Sequence, residues 1–258
     1  MKLYRHYISI HIRSTMQYKS SFFLSTMAQF LVSFNLLLGV YFMFRRFSQV
    51  EAFTFSQVLL CFSIFLMEFS LAEVIARGFD TFSTLVKTGT MDRLLVRPQS
   101  LILQVLGSHF ELSRWGRMLQ AVVMFLYGIT QSDIQWSISK IVIIIFMLIG
   151  GTVLFCSIFL LQAALCFFTL EGLGFMNIFT DGAREYGKYP IGIYGSPLLK
   201  LCTYAVPYAL VQYYPFLYLI DRVTGLQWVF VPLLGCWFVI PSYALWCYGV
   251  RKYQSAGS

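Results

Sequence analysis

From Ser20 to Phe44 the chain carries no charged residue, and Lys19 on one side and Arg45 and Arg46 on the other bound the run. A bilayer-spanning helix needs about 20 predominantly apolar residues at 1.5 Å rise each. This run therefore commits the chain either to a membrane or to a very large apolar core. Composition excludes the second. Of 258 residues, 58% are hydrophobic and 12% charged, with mean hydropathy +0.71, whereas a soluble domain carries about 25% charged residues.

Further apolar runs follow: about Phe53 to Ala72, interrupted by Glu68 and closed by Glu73 and Arg77; roughly Phe110 to Ile129; Ile138 to about Phe159, continuing toward Phe168; and Gln227 to Val250, closed by Arg251 and Lys252. With Pro197 to Ile220 as a fifth span, the expectation is an all-α polytopic membrane protein of six transmembrane helices, one domain over 1–258. This model puts fifteen of the 19 Lys and Arg on one side. The positive-inside bias then places both termini in the cytoplasm, and the expected location is the inner (plasma) membrane.

A second path through residues 160–222 is left open. There the fifth span starts near Leu161 and crosses through Tyr186, and Pro190 to Arg222 forms a re-entrant outer hairpin. Charge bias disfavours this path, since only twelve basic residues then lie inside, and Glu171, Asp181, Arg184 and Glu185 would need buried partners. The prolines at 190, 197, 207 and 215, interleaved with tyrosines, nevertheless suit an interfacial segment over 186–222 better than a smooth helix.

Residues 1–19 are expected to form an interfacial helix, because Tyr4, Tyr7, Ile8 and Ile12 share one stripe with Arg5, Ser9 and Arg13 opposite. A short solvated arm is the plainer alternative. No cleavable signal is expected, as the apolar run begins only after Lys19. The six cysteines lie in apolar stretches without CxxC spacing and read as packing residues, and His6, His11 and His109 make no metal-ligand pair. The +8 net charge sits between hydrophobic runs, which points to topology and anionic lipid and not to nucleic acid.

The largest polar feature is the loop over 73–117. Within TFSTLVKTGTMDRLLVRP, Thr81 to Lys87 reads as a short helix, Gly89 as a break, Thr90 as the cap of a second short helix, and Pro98 as its stop. Gly89, Met91, Asp92, Leu94, Leu95, Arg97 and Pro98 resemble the G-x-[LM]-D-x-L-L-x-[RK]-P pattern of six-span type-2 ABC exporter permeases. The block from Ile178 to Arg222 resembles the carboxy-terminal signature of the same family. The resemblance implies a permease subunit with a cytoplasmic coupling helix between spans 2 and 3. It implies a second permease chain, identical or a sister, and two copies of an ABC ATPase subunit. Lys87, Asp92 and Arg93 are then the expected contacts to the ATPase, with Gly89 as the bend and Arg97 beside them. A solvated basic loop that only sets orientation is the plainer alternative.

The chain has no G-x-x-x-x-G-K-[ST] loop, so ATP and Mg are expected on the partner and no cofactor on this chain. Without an H-E-x-x-H helix or a G-x-S-x-G elbow, no enzyme activity of its own is expected. Cargo is expected to be hydrophobic or amphipathic: a drug, a peptide or a lipid-like molecule. Glu68 and Glu171 are the candidate intramembrane polar groups. They also keep open a proton- or ion-coupled secondary transporter or channel, although no convincing internal repeat accompanies them. Glu73 with Arg77 and Glu111 with Arg114 read as pairs that satisfy each other at helix ends.

Overall fold

A computed structural model describes residues 2–47, 53–132, 134–169 and 174–253, and the described chain is helical with no strand. Helix α1 (Lys2–Gln17) is separated from α2 (Lys19–Arg46) by non-helical backbone at Tyr18 (φ −116°, ψ 67°). It lies against a short helix further on, where His11 Nε2 sits 2.9 Å from the Gly107 carbonyl. Helix α3 (Phe55–Asp80) starts on a capping box in which Thr54 and Gln57 satisfy each other's backbone N–H. Two short helices, α4 (Phe82–Lys87) and α5 (Thr90–Leu95), lead to α6 (Leu101–Ser108) and α7 (Trp115–Gln131).

Helix α8 (Ile138–Thr169) is the most apolar of the chain. After it come α9 (Ala183–Tyr186), α10 (Ser196–Tyr204), a π-turn at Ala209–Tyr213, α11 (Tyr214–Leu219), 3-10 turns over 226–238 and α12 (Val239–Lys252).

Among the described residues, four stretches are long and apolar enough to cross a membrane: Lys19–Arg46, Phe55–Lys87, Ile138–Thr169 and Leu226–Lys252. They coincide with four of the six expected spans. The third expected span is shorter than its hydropathy suggested, because α7 starts only at Trp115 and has 17 residues. The fifth departs most: Pro197 to Ile220 is not one helix. Pro207 and Pro215 each lack the backbone N–H a continuous helix needs, and the run divides into α10, the π-turn and α11.

Its neighbours give the course of this segment. Arg184 lies over the Phe69 ring near the charged end of α3 (5.3 Å), and the Gly187 carbonyl accepts from Gln212 (3.1 Å) beside Phe65. Tyr189 reaches Met43 near the far end of α2 (2.8 Å). The chain then turns back along α10, until Tyr208 donates to the Phe179 carbonyl. It climbs again through α11 to Asp221, which Lys140 of α8 binds at 2.6 Å. Thr203 and Tyr214, on opposite arms of this fold-back, meet at 3.3 Å.

Helix α3 is the hub, packed by α7 on one side and α8 on the other. At the charged end, Trp246 of α12 packs edge-on or tilted among Phe79, Phe82 and Phe167 at 5.1–5.5 Å. Aromatic edge contacts of this kind add roughly 0.5–1.5 kcal/mol per pair beyond area burial. They fix the end of α12 to the junction of α3 and α4. Small residues bring the long helices close: a Cβ on Gly116 of α7 would fall on the Thr26 carbonyl of α2, and one on Gly150 of α8 on the Pro232 carbonyl.

Candidate functional site

The loop between α3 and α7 is built from the inside outward. Phe82 and Val86 of α4, and Met91 and Leu94 of α5, are buried beneath it. Gly89 takes φ +65°, the left-handed region, which turns the chain between the two helices. Gly89 itself holds the cap position of α5. The expected cap, Thr90, is the first helical residue; its hydroxyl instead lies 2.9 Å from Thr88 and receives Arg93 at 3.2 Å. Gln104 of α6 closes the other end by donating to the carbonyls of Leu94 and Gln99, both at 3.1 Å. What faces outward is Lys87, Arg93, Leu95, Val96, Arg97 and Pro98, all exposed. Asp92 is placed differently from those three cations, since its Oδ1 accepts from Tyr253 just beyond α12 (3.0 Å). The loop is thereby tied to α3 through α4, to α6, and to the end of α12.

Behind the loop lies a buried charge node that the sequence reading divided into two separate pairs. Glu73 and Arg117 are each 1% exposed and form a direct ion pair between α3 and α7. Arg114 lies at 3.5 Å and Arg77 at 3.7 Å from the same carboxylate. Glu111 joins Arg77 (3.1 Å) to Arg114 (3.0 Å), and Asp80 pairs with Arg77. The Gln29 Oε1 of α2 accepts from both Arg114 (2.8 Å) and Arg117 (2.7 Å). The local pairs do exist, but the node joins three long helices, and Arg117 and Gln29 were missed. The available signal was Arg114 and Arg117 three residues apart at the start of an apolar helix, where only burial with a partner makes two arginines tolerable. Outside the spans, partial desolvation holds the His109 imidazole below the ordinary histidine range.

Glu68 stands apart from both loop and node. It is 1% exposed, its Oε1 has no hydrogen-bond partner among the described residues, and its carboxyl packs on Gly151 of α8, while Thr152 lies 3.5 Å from its carbonyl. A Cβ at Gly151 would collide with that carboxyl. Gly151→Ala is expected to cost about 1–3 kcal/mol through overpacking, read as a lower thermal midpoint in detergent; Glu68→Ala in the same chain should recover most of it. An unchanged midpoint for Gly151→Ala would remove this contact from the account. Glu171 lies outside the described residues.

Residues 30–257 match the family model described as ABC-2 family transporter protein. The chain belongs to the ABC-2 transporter family. No curated protein and no solved structure matches it. The permease is therefore a multi-pass membrane transport component and not itself an enzyme, and its family associates with an ABC ATPase. Among the described residues no cluster of His, Cys, Asp or Glu could hold a metal ion.

Proposed function

We propose that the permease forms, with a second permease chain, the path of an ATP-driven exporter for a hydrophobic or amphipathic molecule such as a drug, a peptide or a lipid-like compound. ATP and Mg reside on two copies of the partner ATPase. The observation that carries this reading is the loop geometry: exposed Lys87, Arg93 and Arg97 on a turn anchored to α3, α6 and the end of α12. Such a turn can pass a push from a docked ATPase into two long helices at once. Gly89 supplies the bend, and Asp92 holds the turn to Tyr253. Charge bias supports placing the loop, the node and both termini at the cytoplasmic face of the inner membrane. On that placement, residues 190–222 are a hairpin dipping in from the outer side.

The test is co-expression with the candidate ATPase, followed by co-purification and ATP-dependent efflux in inverted vesicles. Asp92→Arg is expected to reduce ATPase stimulation. Transport by the permease in the absence of any ATPase would overturn the proposal.

A second reading, a proton-coupled transporter, is favoured only by the buried Glu68 Oε1, which has no hydrogen-bond partner among the described residues. Glu68→Gln separates the two. ATP-driven transport is expected to survive this near-isosteric change, whereas proton coupling through that carboxyl would be abolished by it.

A further inference from the structure

Near the end of the molecule opposite the charge node, α2 and α7 diverge over α3 and leave a groove of about 380 Å³. Its floor is Leu59 and Met124, each 3% exposed; its walls are Phe34, Leu38 and Tyr41 of α2 and Val123 and Tyr127 of α7. Among the described residues no polar side chain other than the two tyrosines lines it. One turn beyond Tyr41 stand Arg45 and Arg46, both exposed, with the Arg45 guanidinium 5.9 Å from the Tyr41 ring. Neither has an acidic partner among the described residues.

The length of the groove selects its occupant. Phe34 to Tyr41 spans about 10 Å along α2 at 1.5 Å per residue. That suits the hydrocarbon depth of one leaflet, about 15 Å, and is far short of the roughly 30 Å over which a spanning helix of a second copy would pack. A dry slot one leaflet deep, closed at its water end by two arginines, matches a molecule with an apolar tail and an anionic head. We infer that this groove is a binding site for a single anionic glycerophospholipid of the adjacent leaflet, with an acyl chain between α2 and α7 and its phosphate at Arg45 and Arg46. The site lies away from the loop and the node, and it needs only that the chain is a membrane protein.

The experiment is native mass spectrometry of the purified full chain after exchange into detergent containing equal amounts of phosphatidylglycerol and phosphatidylcholine. Retention of phosphatidylglycerol is expected to exceed that of phosphatidylcholine by about tenfold, given the attraction of two basic residues for an anionic lipid surface. Arg45→Gln with Arg46→Gln should bring that ratio close to one. Leu38→Trp should fill the slot and reduce retention of both lipids. Val123→Trp, on the opposite wall at a position 57% exposed, repeats the test should Leu38→Trp not accumulate. Equal retention of the two lipids by the unmodified chain would overturn the inference, as would unchanged retention in both tryptophan variants. A dimer cross-linked through Leu38→Cys would also overturn it, by giving the groove to a second copy.

Discussion

Glu73→Leu is expected to destabilise the permease more than any other single change in the described chain, by about 3–5 kcal/mol, because it leaves a buried guanidinium without its carboxylate. Three arginines converge on Glu73, and they are not equally dependent on it. Arg77 keeps Asp80 and Glu111, and Arg114 keeps Glu111. Among the described residues Arg117, 1% exposed, keeps only uncharged neighbours, the amide of Gln29 and the Phe69 ring at 5.9 Å. The loss is expected to appear as a large fall in thermal midpoint and poor accumulation in the membrane.

The double variant Glu73→Leu with Arg117→Leu separates this cause from a packing defect. It removes the stranded charge together with its partner, and replacing a buried pair by apolar residues is often close to neutral. Recovery of most of the loss identifies the ion pair as its source. If the double variant is as damaged as the single, the pair does not act as a unit. Arg114→Leu should cost less than Arg117→Leu, since Glu73 retains Arg117 and Arg77 when Arg114 is lost. A reversed order would show that the burial of Arg117 is not what makes it sensitive.

The node also marks the limit of what the sequence disclosed. Periodicity and run length identify an element when its own residues decide it, and α2, α3, α8 and α12 are of that kind. Spacing along one helix likewise showed that Glu73 can reach Arg77. It carried no information that α7 would lie beside α3 in a register placing Arg117 on Glu73, because that register depends on small contacts such as Gly128 against Leu60. Residues 186–222 stayed open between a span and a re-entrant hairpin for a different reason. Pro197 to Ile220 is a largely apolar run with Lys200 as its one charge, but Pro207 and Pro215 cut the hydrogen-bond ladder. Tyrosine hydroxyls then hold the fold-back together, as Tyr214 does at Thr203, and tie it to the preceding turn, as Tyr208 does at the Phe179 carbonyl. Hydropathy averages over such breaks and reads one helix where the backbone makes three pieces. The loop was legible in greater detail: Gly89 as a bend and Pro98 as an end follow from backbone chemistry alone. The bond from Asp92 to Tyr253, 161 residues apart, had no local signal.

That bond separates the loop residues into two groups with different expected behaviour. Arg93 and Arg97 are exposed and project from a surface whose apolar members, Leu95 and Val96, are 43% and 86% exposed. If the loop docks on the ATPase, these cations meet an acidic surface. Arg93→Glu with Arg97→Glu would then set like charges together, weakening association on the order of 100-fold by the several kcal/mol such juxtapositions cost. The permease itself should keep its thermal midpoint, since neither side chain supports a buried group. Raising salt should shrink the gap between variant and unmodified protein, as exposed charges are screened over about 8 Å at 0.15 M and less at higher ionic strength. Asp92→Asn is expected to behave in the opposite manner. Association should persist, because the carboxylate accepts from Tyr253 within the permease, but ATPase stimulation and transport should fall, since a neutral amide accepts more weakly than a carboxylate and loosens α12 from the turn. Tyr253→Phe should reproduce that phenotype. Should the double arginine reversal leave ATPase affinity intact, the loop would be reduced to an orientation signal and the coupling role would have to move elsewhere in the chain. If Asp92→Asn abolishes association outright, Asp92 is a direct contact and the bond to Tyr253 must open on docking.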